Sequence, residues 1–300
     1  MKPNFFIVGA PKCGTTAMSS YLRGHPAVFM STPKEPSYFA ADLPGLQYVD
    51  SLAAYEELFS KVGAAQSIVG EASPSYLMSE VAIEKIAAYQ PQAKILVMLR
   101  KPVDMLPSYH SQLFYSSFED EADFQRAWDL QLQRLDGNRL PASCRDPGLL
   151  QYGKVALYAE QLQRLYRFFP DSRVQIVLYD DLCSDLLAVY RGVLRFLELE
   201  DDGRTEFPVV NSRKEARFGL LNRLLHTPPA WARRWMTRLS GSALHDRLIA
   251  AYSMILSANS RQSEKKSLDP EFRARLMAFH ADDISRLEQI LGRNLDAWRR

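Results

Sequence analysis

Phe5-Phe6-Ile7-Val8-Gly9-Ala10-Pro11-Lys12-Cys13-Gly14-Thr15-Thr16-Ala17-Met18 is the stretch whose reading decides the fold. Phe5 to Val8 is a short apolar run, the length of a buried parallel strand. Gly9 to Gly14 reads as a tight turn, and Thr15 to Arg23 carries a helical pattern. Strand, glycine-bearing loop and helix N-terminus make an anion seat. First-turn N–H groups have no internal partner, and the aligned peptide dipoles leave partial positive charge there. An ordinary strand–turn–helix with a buried glycine has the same local pattern.

The spacing is similar to the phosphate loop G-x-x-x-x-G-K-[ST], with one departure. Gly9 and Gly14 hold the glycine positions and Thr16 the hydroxyl position, but Thr15 stands where the lysine belongs. The loop's lysine, Lys12, lies inside it. A nucleoside triphosphatase needs that lysine on the β/γ-phosphates and the hydroxyl on magnesium. The cation here is placed for a different phosphate-bearing donor.

Further strands follow at Val28-Phe29-Met30, Ser67 to Gly70, Ala93 to Leu99 and Val174 to Leu178, separated by helical patterns at 79–87, 153–169 and 186–197. Apolar strands alternating with helices predict a doubly wound parallel sheet. The expected fold is α/β, a P-loop-type parallel sheet flanked by helices with a helical C-terminal cap. The expected organisation is one domain over 1–300, with an α/β core over 1–200 and a mainly helical region over 201–300.

Two prolines bracket Lys34-Glu35 in S-T-P-K-E-P-S-Y-F, so this segment is an ordered turn. Glu35, just past a strand end near the seat, is a candidate general base; a solvated Lys–Glu pair is the plainer reading. Arg100 ends the clearest buried strand, where open α/β sheets gather their ligands; it meets an anion or pairs with a surface carboxylate. Ser108 follows about two helical turns later. His25, beside a proline, reads as a helix-end residue. Phe124, Trp128, Leu132 and Leu135 are expected on one face of a helical segment over 118–145, packed in a core or walling a pocket.

With 300 residues the chain can bury a substantial core without crosslinks. A formal net charge of +2 gives no case for nucleic acid or an anionic membrane. Three dispersed cysteines, Cys13, Cys144 and Cys183, read as reduced thiols. No apolar run of about 18 residues and no leader pattern occurs, so a soluble cytoplasmic protein is expected. No metal-ligand motif is present, and none is expected to be needed.

Taken in order, P-K-C-G-T-T, K-E-P-S-Y-F, G-E-A-S-P-S-Y-L and L-R-K-P-V-D-M-L-P-S resemble the successive blocks of sulfotransferases that use 3′-phosphoadenosine 5′-phosphosulfate (PAPS), especially bacterial members related to the heparan sulfate branch. The likeness extends through Y-A-E-Q-L, L-Y-D-D-L and D-I-S-R-L-E-x-I-L-G-R-N-L-x-x-W, so it covers nearly the whole length. It implies that Lys12, the Cys13, Gly14, Thr15 and Thr16 backbone, and the two threonine hydroxyls hold the 5′-phosphosulfate. By the same resemblance Arg100 and Ser108 bind the 3′-phosphate and Glu35 is the acceptor base. The implied co-substrate is PAPS, leaving as adenosine 3′,5′-bisphosphate.

Three departures qualify the resemblance. Ser37 replaces a histidine common two residues after the base, and Ala72 replaces a lysine of the second block, which points to an acceptor smaller than a polysaccharide. Arg261, Lys265 and Lys266 are not followed by the glycine of the usual R-K-G motif. His110 ranks below Glu35 as a base, because two residues along a helix turns it to another face than Ser108. The arginines from 213 to 238 with Trp231 and Trp235 either cover a solvated face or form a cap for an acidic or lipid-like acceptor. A P-loop kinase and a nucleotide-binding module without catalysis remain as alternatives.

Overall fold

The computed structural model describes residues 1–144, 146–208, 214–216, 260–262 and 267–299. Its centre is a five-stranded parallel sheet of β1 (Phe5–Gly9), β2 (Val28–Met30), β3 (Ile68–Ala72), β4 (Lys94–Leu99) and β5 (Val174–Leu178), in the order β2-β3-β1-β4-β5. Every residue of β1 and β3 is buried. That is why β1 reads as a continuous apolar run rather than an alternating one.

Register brings the carboxyl ends together on one edge. Ile7 pairs with Ala72 and Leu96, and Leu99 pairs with Leu178. From β1 the chain passes through α1 (Thr15–Arg23) towards β2, on one side of the sheet. From β4 it goes to β5, on the other. The crevice therefore falls between β1 and β4, where ligands of open parallel sheets collect.

Between β2 and β6, the helices among the described residues are α2 (Leu52–Glu57), α3 (Ala82–Tyr89), α4 (Pro102–Tyr115), α5 (Phe124–Asp129), α6 (Gln131–Leu135), α7 (Tyr152–Val155), α8 (Tyr158–Tyr166), α9 (Tyr179–Ser184) and α10 (Leu186–Phe196). A two-stranded antiparallel ribbon, β6 (Lys214–Ala216) with β7 (Ser260–Gln262), precedes the long α11 (Pro270–Leu291). Ser79 accepts from the amides of Val81 and Ala82 at the start of α3 (3.3 and 3.0 Å), as a capping hydroxyl should. Gly292 closes α11 in the left-handed conformation, φ 58°.

Contacts divide the chain into two compact units, one of Met1–Leu106, Gln151–Val210 and Asp269–Arg300, the other of Pro107–Leu150 and Asn211–Leu268. In the first, residues past α11 are stitched to the sheet's edge. Trp298 Nε1 donates to Asp180 (2.7 Å), Arg293 pairs with Asp181, and Lys101 Nζ donates to the Ala297 carbonyl (2.8 Å).

The second unit corrects one expectation. Phe124 and Trp128 are buried, but Leu132 is 75% exposed and Leu135 49%. The helix breaks at Leu130, and α6 instead turns Arg134 inward, where its guanidinium grips the buried Glu119 carboxylate through two bonds of 2.5 and 2.6 Å. A buried guanidinium has to stay paired, so this pair sets the helix phase and both leucines face out. Likewise the single helix expected over 153–169 is two, α7 and α8, separated by Ala156 and Leu157.

Gly9 is required by close packing: a Cβ there would lie 2.4 Å from Leu77 Cβ. Gly9→Ala is expected to cost about 1–3 kcal/mol through overpacking. The urea unfolding midpoint measures it, and an unchanged midpoint contradicts the packing described.

Candidate active site

The loop from Gly9 to Gly14 is fixed from behind. Ala10 N donates to Met98 O (2.6 Å), tying the loop to β4. Lys12 and Gly14 both take left-handed backbone conformations, φ 62° and 90°. At Gly14 a side chain would also run into Leu182, at 2.8 Å. A non-glycine residue such as Lys12 held at positive φ is a mark of an over-determined, functional segment. Gly14 is the N-cap of α1, and no side chain caps that end. The first-turn amides are thus left for an outside acceptor.

Cys13 is fully buried, with its thiol 3.3 Å from the Pro11 carbonyl and 4.0 Å from the Tyr158 hydroxyl. Burial pushes the thiol up to about 12, so it stays protonated and has no nucleophilic role. Only its backbone is available to a ligand. Thr15 is buried and Thr16 half-buried.

Arg100 joins the loop directly. Its Nη1 donates to the Lys12 carbonyl (3.3 Å), and its guanidinium carbon lies 4.5 Å from the centre of the Tyr179 ring. Its Nε is buried without a hydrogen-bond partner among the described residues. A buried guanidinium N–H left unbonded is costly, and an anion is what would satisfy it. Tyr179, which supports the guanidinium face, stands in the L-Y-D-D-L block, where sequence reasoning assigned it no role; its position immediately after β5 was the available signal. Ser108 lies half-buried on α4, in the second unit.

The segment after β2 runs along the carboxyl end of β3. Ser31 N bonds Gly70 O (2.9 Å) and Glu35 N bonds Ala72 O (3.1 Å). Glu35 and Ser37 sit at positive φ, 64° and 50°. The Glu35 carboxylate is 44% exposed and paired with Lys34. The plain ion pair and the reachable base are therefore one arrangement. Ser37 is buried with its hydroxyl 3.3 Å from Ser75 Oγ, so it does not present a polar group in place of the missing histidine.

Glu71 was missed by sequence reasoning. It is fully buried on β3 and accepts from Tyr55 (2.8 Å), Tyr76 (2.9 Å) and Ser73 (2.7 Å). Burial pushes this carboxyl up to about 7, against the pull of the Ser73, Tyr55 and Tyr76 hydroxyls and of Lys34. A lone acid inside an otherwise apolar strand was the signal.

His25 is a helix-end residue: its Nδ1 accepts from Ala27 N (3.2 Å) and its Nε2 meets the Glu200 carbonyl (3.1 Å). His110 is buried beside Phe124 with Nε2 on the Glu121 carbonyl (2.8 Å), and burial lowers its pKa. Arg213, the arginines from 217 to 238, both tryptophans, Lys265 and Lys266 lie outside the described residues.

A family model described as the sulfotransferase domain matches residues 2–215. Carbohydrate sulfotransferase 15 of Rattus norvegicus is 29% identical over 271 residues, covering 71% of this chain and 47% of that protein. Heparan sulfate glucosamine 3-O-sulfotransferase 3B1 of Mus musculus is 29% identical over 202 residues, covering 66% and 46%. The chain spans about half the length of these curated relatives. The crystal structure of a sulfotransferase from Alicyclobacillus acidocaldarius superimposes with a TM-score of 0.72 at 27% identity, covering 100% of both chains. Among the described residues no helix is long and apolar enough to cross a membrane.

Because the folded Glu71 carboxyl holds its proton to about 7, while an unfolded one releases it near 4.5, its contribution to stability is complete below the lower value. That contribution is lost as pH rises through the upper one, at most about 3 kcal/mol. Unfolding free energy should fall between about pH 5 and pH 7.5, and Glu71→Gln should flatten the fall. Parallel profiles for the two proteins would refute the assignment.

Proposed function

This chain belongs to the sulfotransferase family, and we propose that it transfers the sulfuryl group of PAPS to a hydroxyl or amine, releasing adenosine 3′,5′-bisphosphate. The observation that carries the reading is Arg100: bonded to the loop at Lys12 O, stacked on Tyr179, and, among the described residues, keeping a buried Nε unbonded beside an uncapped helix N-terminus. Loop amides and a fixed cation at one crevice suit a ligand carrying two separate phosphates.

In this reading the amides of Cys13 to Thr16 and the two threonine hydroxyls hold the 5′-phosphosulfate. Arg100 takes the 3′-phosphate; Ser108 is the second residue that the family resemblance names for it. Lys12 meets negative charge growing on the bridging oxygen, the kind of preorganised electrostatics that supplies most catalysis. Glu35 accepts the acceptor's proton as the new bond to sulfur forms and the old sulfur–oxygen bond breaks, its electron pair going to the phosphate. Lys34 keeps the carboxylate turned to its task until an acceptor competes for it.

The matched relatives are named for carbohydrate and heparan sulfate acceptors. Ser37 is buried and Ala72 has no cation to offer, so this site lacks two polar groups that would grip an anionic polysaccharide. A smaller alcohol, amine, sugar or lipid-like acceptor fits better.

Calorimetric titration should show adenosine 3′,5′-bisphosphate binding in preference to 5′-AMP and to ATP–magnesium. Arg100→Ala should weaken it by about tenfold to a hundredfold, the worth of charge-assisted bonds. Binding of ATP–magnesium alone would return the loop to phosphoryl transfer. Glu35→Gln should leave that affinity intact and lower kcat with PAPS by about 10²–10⁴-fold. Bisphosphate binding with turnover unaffected by Glu35→Gln would leave a nucleotide site without this base. EDTA should not change the rate.

A further inference from the structure

The turn carrying Glu35 has little sheet to hold it. Beyond the bonds from Glu35 N to Ala72 O, from Tyr48 N to Pro36 O (3.0 Å) and from Gln47 Nε2 to Tyr38 O (2.8 Å), its fixed points lead to one buried side chain. Ser37 N donates to Ser73 Oγ (3.0 Å), and Ser73 Oγ donates to Glu71 Oε2 (2.7 Å). Phe39 N meets the Tyr76 hydroxyl (3.4 Å), which donates to Glu71 Oε1 (2.9 Å). Tyr38 stacks on Tyr55 at 5.0 Å between centroids and 19° between planes, and the Tyr55 hydroxyl donates to the same Glu71 oxygen (2.8 Å). Phe39 packs edge-on against both phenols, at 5.1 and 5.9 Å. Three consecutive residues, Ser37, Tyr38 and Phe39, are each held by a group that Glu71 holds.

We infer that Glu71 is the positioning residue of the Glu35 turn, fixing through Ser73, Tyr76 and Tyr55 where the base is presented. A carboxylate suits this post because it accepts all three hydroxyl donors at once, leaving each hydroxyl oxygen free to accept from the turn or lie under its rings. An amide has one accepting oxygen, and its NH₂ would face a donor. The two left-handed residues, Glu35 and Ser37, explain the need: such backbone persists only where surroundings over-determine it. That the positioned carboxylate is catalytic rests on the function proposed above. That the turn depends on Glu71 does not.

The test compares wild type with Glu71→Gln at about pH 8 by hydrogen exchange of peptides over 34–40 and 9–16. Exchange over 34–40 should rise by about tenfold or more, the effect of losing a charge-assisted bond. Exchange over 9–16 and the affinity for adenosine 3′,5′-bisphosphate should stay within about twofold, below the weight of one hydrogen bond. In PAPS turnover with water as acceptor, kcat should fall with KM for PAPS unchanged. Unchanged exchange over 34–40, or equal acceleration in both peptides, overturns the inference. A loosened turn with unchanged kcat overturns its catalytic half. If Glu71→Gln does not fold, Ser73→Ala, which deletes the acceptor of Ser37 N, is judged by the same contrast. Wild type that binds no bisphosphate refutes the donor reading, and the exchange contrast still decides the turn.

Discussion

Backbone amides hold an anion only if nothing else holds them, so a loop offering its amides must be fixed by its other atoms. The rest of this molecule follows from that constraint. The Ala10 amide is given to Met98 and the Lys12 carbonyl to Arg100, while the Cys13 thiol fills a buried space beside Tyr158. Leu77 packs where a side chain on Gly9 would otherwise stand. The helix end stays uncapped because carbonyls, a thiol and bare packing do the fastening.

The two halves of the crevice solve opposite problems. On the β1 side the presented groups are backbone amides, and side chains restrain the loop that carries them. On the β3 side the presented group is a side chain, the part-exposed Glu35 carboxylate, and the restraint comes from a buried acid reached through hydroxyls and rings. Placing that acid within β3 costs desolvation, which appears as the raised affinity of Glu71 for its proton. Charge is sheltered in the strand so that another carboxylate outside it is held in place.

What the sequence made legible was what lies local in the chain. Apolar runs marked all five strands; the uncapped helix after Gly14 and the arginine ending β4 followed from strand–loop–helix order. Glu71 could be noticed as an acid in an apolar strand, but not its partners: Tyr55 is 16 residues away on helix α2, and no periodicity links them. Leu132 and Leu135 were misread for a related reason. Heptad-like spacing cannot register a helix break at Leu130, nor that a buried Arg134–Glu119 pair outweighs two leucines in choosing the inward face.

The bond from Lys101 to Ala297 spans 196 residues, and it braces the corner next to Arg100. Trp298 adds a second strut, packed 6.3 Å from the Tyr158 ring that backs Cys13 and bonded to Asp180. During synthesis, then, the seat leaves the ribosome well before its buttresses do. Until residues 293–298 emerge, the nascent chain carries that loop without its back wall. The braced form of the loop is therefore gained only after the segment that follows α11 has been made, although the motif that defines it is made earlier.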